Sequence, residues 1–407
     1  MREHADCACM RSHRHASKPG TEIPAARTFD GSEPQPRYPR WLPVSNMSGF
    51  RAMGRERLVL TTMTRMHEPA ADGPATDLGG QSRWIDLDGP VHYLDFGGPP
   101  RGPTILCVHG LTGSAVNWSA IAPLLTGRCR LIAPDLAGHG LTRSAGRGTG
   151  VASNRVLLHR FIESVHTGPV ILMGNSMGGM IALLEASSAP LAVAGLVLVD
   201  PALPFVTARP DLLLSAMFVL CATPALGSAI LGRVQHLSPE AAVATVLSLC
   251  CADVSRVPED VLARHVEVAR RRAAFTGTGR DISAAMRSVI ATVGLGSGQA
   301  YRREIGSVTC PVLLLHGERD RLIPVTAARE AARANPSWSL VVLPGVGHVP
   351  QLEAPRQCAT AITEWLGSAG RPAAESARPP RRLRLPGRLG RPRQRRGWRL
   401  RSPGHLS

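Results

Sequence analysis

The run Val170-Ile171-Leu172-Met173-Gly174-Asn175-Ser176-Met177-Gly178-Gly179 decides how this chain is read. Its four leading apolar residues suit a strand buried on both faces of a parallel sheet, and the stretch from Gly178 to Ser187 suits a helix. Between them a serine sits in a G-x-S-x-G string. The string alone is common by chance. Set between a buried strand and a helix, it specifies a turn so tight that only small residues fit on either side of the serine. The turn pushes the hydroxyl outward, at the positive end of the helix dipole. Ser176 is therefore the candidate nucleophile.

Working outward, short apolar runs with β-branched residues recur at Trp84–Leu87, Val91–Phe96, Thr104–Val108, Arg130–Ala133, Leu196–Val199, Val312–Leu315 and Leu340–Leu343. The first two flank Asp88-Gly89-Pro90 and read as a hairpin. Helical stretches such as Thr326–Ala334 separate most of the later ones, which predicts an α/β fold with a doubly wound, mostly parallel sheet. The alternation fails between about Ala202 and Val308, where Pro239–Cys250 and Pro258–Ala273 are amphipathic. That insertion reads as a helical cap over the carboxyl edge of the sheet, where ligands of open α/β sheets bind. The expected organisation is an extension without a core over 1–80, a core over 81–201, a cap over 202–308, a second core segment over 309–368, and an Arg-rich tail over 369–407.

A serine hydroxyl is a poor nucleophile until a base takes its proton, and the base needs an acid to orient it. His348, in Leu343-Pro344-Gly345-Val346-Gly347-His348, follows the last strand and is the candidate base. Asp320, in Leu315-His316-Gly317-Glu318-Arg319-Asp320, follows the preceding strand and is the candidate acid. The chain order Ser, Asp, His is the one this architecture uses. Asp200 ends another strand and is the rival acid; His316, His109 and His139 are rival bases.

With these motifs together, residues 81–368 resemble the α/β-hydrolase superfamily, near its capped, esterase-like members. The resemblance implies that His109-Gly110-Leu111-Thr112-Gly113 is the loop beside the serine, with the backbone N–H groups of Leu111 and Met177 as the oxyanion hole. It also implies structural roles for Asp135-Leu136-Ala137-Gly138-His139-Gly140, and a helix-opening role for Pro350, Glu353 and Pro355. Trp118 is expected to pack in the core.

Serine at the elbow sets the chain apart from relatives of that fold that use aspartate, the dehalogenases and epoxide hydrolases. Hydrolysis of a carboxylic ester, thioester or lactone through an acyl-enzyme is the expected reaction. The alternatives are carbon–carbon bond hydrolysis, against which the Leu111-Thr112-Gly113-Ser114 loop argues, and cofactor-free perhydrolysis. A non-catalytic receptor or scaffold is the alternative of another class, opposed by the complete set of three triad residues.

Composition narrows the partners. The 407 residues carry a formal charge of +17, and Lys18 is the one lysine. Residues 371–407 hold twelve arginines against Glu375, so 81–370 retain only +4 and a nucleic-acid surface is not expected there. The nine cysteines are odd in number, and several lie in strand-like runs, as free buried thiols do. Cys7-Ala8-Cys9 near His13 and His15 is too sparse for a zinc site. No metal or cofactor is expected. The uncharged stretch Leu212–Leu231 has the length of a membrane span but contains Pro224 and Gly227. It reads instead as an aliphatic roof for an apolar acyl substrate, with Leu212–Leu214, Met217 and Phe218 facing the pocket. Peripheral membrane contact is secondary, and without an apolar leader the chain is expected in the cytoplasm. Nothing in the sequence speaks to oligomeric state.

Overall fold

The structure, a computed structural model, describes residues 77–369 apart from 167, 205–211, 235 and 295–296. Most of the N-terminal extension, the Arg-rich tail and the Cys7-Ala8-Cys9 tract lie outside these residues.

Eight strands form one sheet: β1 (Gln81–Asp86), β2 (Pro90–Gly97), β3 (Thr104–Val108), β4 (Arg130–Pro134), β5 (Val170–Asn175), β6 (Val193–Val199), β7 (Val312–Gly317) and β8 (Ser339–Leu343). Their spatial order is β1-β2-β4-β3-β5-β6-β7-β8. The β1–β2 hairpin and the β2–β4 pair are antiparallel, and every later pair is parallel. Strands β3, β5 and β7 are buried at every position, which is why they read as unbroken apolar strings.

Helices cover both faces. On one face α2 (Val151–Val165), α3 (Met177–Ser188) and α10 (Val325–Ala334) bury Phe161, Met180, Leu183 and Ala328 against Leu106, Leu172 and Leu314. On the other, a 3₁₀ turn (Ala115–Trp118), α1 (Ala122–Leu125) and α12 (Pro355–Ala369) bury Trp118, Leu125, Ile362 and Trp365 against Ile105, Met173 and Leu313. Trp118 is in this core, and α11 (Pro350–Glu353) precedes α12.

Between β6 and β7 the described chain is helical: α4 (Leu212–Ala222), α5 (Leu226–Val234), α6 (Pro239–Cys250), α7 (Glu259–Arg272), α8 (Thr278–Val293) and α9 (Gly298–Gly306). Two apolar clusters join these helices to the core. Leu247, Cys251, Val257 and Val261 pack on Val349 and Leu352 beside His348. Met217, Phe218, Cys221, Ala222 and Met286 pack with Leu111.

The uncharged stretch Leu212–Leu231 is not one continuous span. Thr223-Pro224-Ala225 breaks it into α4 and α5, bent by 105°. Proline supplies no N–H and disfavours helical geometry in the residue before it, so the break falls where the sequence places it. No single helix among the described residues is long and apolar enough to cross a membrane. The side chains of α4 are divided between inward and outward faces. Leu214, Met217 and Phe218 turn inward, but Leu213 is 82% exposed and Val219 56%. The side chain of Leu212 lies outside the described residues.

Candidate active site

Ser176 lies between the last residue of β5 and the first of α3, with φ 54° and ψ −118°. A non-glycine residue in that region costs on the order of 1–3 kcal/mol and persists only where its surroundings hold it. Here the Ser176 amide donates to the Val199 carbonyl at 3.1 Å, and its carbonyl accepts from Met180 and Ala202 at 3.1 and 3.0 Å. The neighbouring glycines are required by space. A Cβ on Gly178 would stand 2.1 Å from the Val108 carbonyl oxygen, and one on Gly174 2.5 Å from that of Gly178. The strand and helix therefore meet at van der Waals limits, with the serine displaced outward and half-buried.

His348 is placed by contacts on three sides. Its Nδ1 donates to Oδ2 of Asp320 at 2.7 Å, and both residues are buried. Its backbone N–H donates to the Cys250 carbonyl at 2.7 Å, at the end of α6. Its carbonyl accepts from Nδ2 of Asn175 at 3.0 Å, and the same amide group donates to the Val199 carbonyl. Asn175 thus ties His348 to the residue beside Ser176. Ser176 Oγ and the His348 ring are not hydrogen-bonded in this structure, as is common before substrate binds.

Oδ1 of Asp320 accepts from the amides of Leu322 and Ile323 at 2.8 and 3.0 Å. Burial by itself raises the pKa of Asp320. The His348 ring, then His316 and Asp200, together outweigh it, and the carboxyl lies below its ordinary value. Asp200 is fully buried at the end of β6 and does not reach His348. One of its oxygens accepts from the Gly317 amide at 2.9 Å, and burial followed by the Asp320 charge pushes its pKa well up.

The rival histidines are committed elsewhere. His109 receives the Leu136 N–H on Nε2, so its Nδ1 carries the hydrogen and donates to the Gly110 carbonyl at 2.8 Å. It is a brace for the loop beside the serine. His139 donates from Nδ1 to the Ala137 carbonyl, and burial pushes its pKa down to about 3. His316 donates from Nε2 to the Ile323 carbonyl at 2.8 Å. Asp135 accepts from His92, Ala115 and Leu141, the loop-holding role expected of it.

A Cβ on Gly110 would lie 3.0 Å from the Ser176 Cβ, so the loop carrying Leu111 abuts the nucleophile. Thr112 turns this loop with φ 61°. Met177, first in α3, has no intrahelical acceptor for its N–H. Neither this amide nor that of Leu111 donates to another protein group among the described residues. Two unspent donors flank the serine.

The sequence profile of the alpha/beta hydrolase family matches residues 105–361, from β3 into α12. The chain belongs to the alpha/beta hydrolase family. This hydrolase is 26% identical over 298 residues to human monoacylglycerol lipase ABHD6, spanning 72% of this chain and 83% of that protein. It is 28% identical over 274 residues to the pimeloyl-[acyl-carrier protein] methyl ester esterase of Aromatoleum aromaticum, spanning 64% and 97%. In structure it is similar to haloalkane dehalogenase DbeA of Bradyrhizobium elkani, with a TM-score of 0.59 and 22% identity over 71% and 98% of the two chains. At that identity the likeness speaks for the fold.

Two residues of the hydrolase do more than their sequence reading assigned. Asn175 had no role beyond filling the G-x-S-x-G string. Glu353 was expected to open the last helix. Instead its buried carboxylate accepts from the amides of Gly347, Ala252 and Asp253 and pairs with Arg256 at 3.3 Å. It binds the His348 loop to the segment after α6. A cavity of about 450 Å³ on the flank of the helical insertion is lined by Arg147, Asp281, Arg287 and Ser228. It includes none of the three triad residues.

Proposed function

We propose that this hydrolase cleaves carboxylic esters of apolar acids through an acyl-enzyme on Ser176. The observation carrying the reading is the 2.7 Å contact between His348 Nδ1 and Asp320, with the His348 carbonyl tied to the residue beside the strained serine. Nδ1 holds its hydrogen for Asp320, which leaves Nε2 of His348 as the base. Nε2 takes the Ser176 proton while Oγ attacks the ester carbonyl carbon. The oxyanion that forms accepts from the Leu111 and Met177 amides, each donor worth about 3 kcal/mol in such mechanisms. The imidazolium then gives its proton to the departing alkoxide, and the acyl group remains on Ser176. Water enters, loses a proton to Nε2 and releases the acid, with Ser176 taking the proton back. Protein groups and water carry every step.

The apolar acyl preference is supported by Leu111, Met217 and Phe218, which all pack against one apolar cluster of Cys221, Ala222 and Met286. The lipase and methyl ester esterase relatives support ester chemistry, and a thioester or lactone would follow the same steps. A fluorophosphonate probe tests the assignment. It should label Ser176, as read by peptide mass spectrometry, and labelling should slow at least a hundredfold in His348→Ala. Labelling of another serine, or unchanged kinetics in His348→Ala, would overturn it.

A further inference from the structure

Two buried acids end neighbouring strands, and the triad uses only one of them. The ligand atoms of Asp200, His316 and Asp320 all lie within 4.8 Å of one another, and all three side chains are inaccessible. His316 does not balance two negative charges here. A carbonyl only accepts, so Nε2 of His316 carries its hydrogen to Ile323. Its Nδ1 is buried without a partner, which leaves the ring neutral. For the same reason Nε2 offers no lone pair to a cation between the acids, although it lies 3.5 Å from Asp200 and 3.6 Å from Asp320.

The two carboxyls differ in how many donors they face. Asp320 receives three: the His348 ring and the amides of Leu322 and Ile323. Asp200 receives one, the Gly317 amide on Oδ1, while Oδ2 is buried with no donor beside it. Two adjacent carboxylates in one dry site do not both ionise, and the proton stays on the poorly solvated one. The other charged or titratable groups around Asp200 worsen its position as an anion. Glu353 of α11 repels it, Cys358 of α12 is a buried neutral thiol, and His348 is already engaged by Asp320.

We propose that Asp200 and Asp320 share one proton across the ends of β6 and β7, and that Asp200, donating from its Oδ2 side, is a positioning residue for the triad acid. The inference rests on the ester-hydrolase reading for its kinetic part only. The Asp200–Asp320 hydrogen bond adds a donor to the Asp320 carboxylate beside the two amides that hold its Oδ1, and so fixes the carboxylate that meets Nδ1. It also makes Asp320 a weaker base, so that the acid orients the histidine without taking its proton.

Asparagine at 200 keeps both bonds, its amide N–H toward Asp320 and its carbonyl toward Gly317; alanine keeps neither. Infrared difference spectra of the full-length wild type minus Asp200→Asn at pH 7 should show the carbonyl stretch of a protonated carboxylic acid. This reading needs no activity, so it fails separately from the function. In kinetics, Asp200→Asn should keep kcat/KM within threefold. Asp200→Ala should lose about tenfold in kcat, with the acidic limb of its profile moved up by about one pH unit, the equivalent of one lost charge-assisted hydrogen bond. If Asp200→Ala does not fold, the infrared band and the asparagine variant decide. A missing band, a loss above a hundredfold in Asp200→Asn, or a pH profile of Asp200→Ala superimposable on wild type would each overturn the proposal.

Discussion

Ser176 and His348 are held in place in different ways. Ser176 is set from within the sheet: backbone from β3, β6 and α3 crowds its turn, and Gly174 and Gly178 exist because a Cβ has no room there. His348 is set from two sides: Asp320 after β7 and Asn175 of β5 hold its ring and carbonyl, and the helical insertion holds its amide and its loop. Cys250 holds its amide, and Glu353 joins its loop to Ala252 and Asp253, 101 and 100 residues away in sequence. The first arrangement is steric, backbone crowded against backbone, so it leaves little room for substitution. The second consists of hydrogen bonds between distant segments, which makes it adjustable. A hydrolase that keeps its chemistry while changing substrates has reason to vary the second region and leave the first alone.

Substitutions that separate the two regions test this difference. The largest effect belongs to the sheet side. Ser176→Ala should lower kcat by about 10⁴–10⁶-fold with an unchanged circular-dichroism spectrum, because the remaining site has no nucleophile. Gly178→Ala should fail differently, losing at least about 3 kcal/mol of stability in urea titration, since the added methyl meets backbone. On the insertion side, Glu353→Gln should fold and bind substrate yet lose about tenfold in kcat, because one buried acceptor is replaced by a donor among three N–H groups. Equal kcat in wild type and Glu353→Gln would show that the insertion does not position the base.

The two acids give opposite pH dependences. The pKa of Asp320 is depressed on folding, so its contribution to stability is present above the ordinary carboxylate value and is lost as pH falls through its folded value. Asp200 is raised, so the folded state holds a proton that the unfolded chain releases above pH 4, and the cost grows with pH. Asp200→Asn removes that cost. Its Tm should exceed wild type by a few degrees, about 2–5 °C, at pH 8 and match it below pH 4. An equal shift at both pH values would contradict the sign.

The smallest effect concerns the roof. Phe218 packs on the apolar cluster that Leu111 also joins, and Phe218→Ala should move the acyl-chain optimum of C2 to C12 p-nitrophenyl esters toward longer chains. Each added pocket-filled methylene is worth about 0.8 kcal/mol, roughly fourfold in kcat/KM. An unchanged profile would place α4 outside the substrate site.

What was legible in the sequence followed this same division. The eight strand runs were readable because local pattern and burial agree, and the elbow, Asp320 and His348 each follow the end of one of them. Helix α2 was not singled out, although Leu157, Leu158, Phe161 and Ile162 bury one face of it, because Ser, Asn and His dilute its stripe. The insertion was readable as helical but not in its contacts. A stretch as uniformly apolar as α4 gives no period from which to tell the inward face of Phe218 from the outward face of Leu213. Glu353 and Asp200 were invisible as partners because their donors come from distant segments, and no spacing rule joins residue 353 to residue 252.

The most direct test of the account is the covalent intermediate itself. Rapid acid quench of the enzyme during turnover of a p-nitrophenyl ester, followed by peptide mass spectrometry, should find the acyl group on the peptide containing Ser176. Its occupancy should fall to background in Ser176→Ala. Full turnover with no acylated peptide, or with the acyl group on another residue, would contradict the acyl-enzyme mechanism and the role given to the elbow.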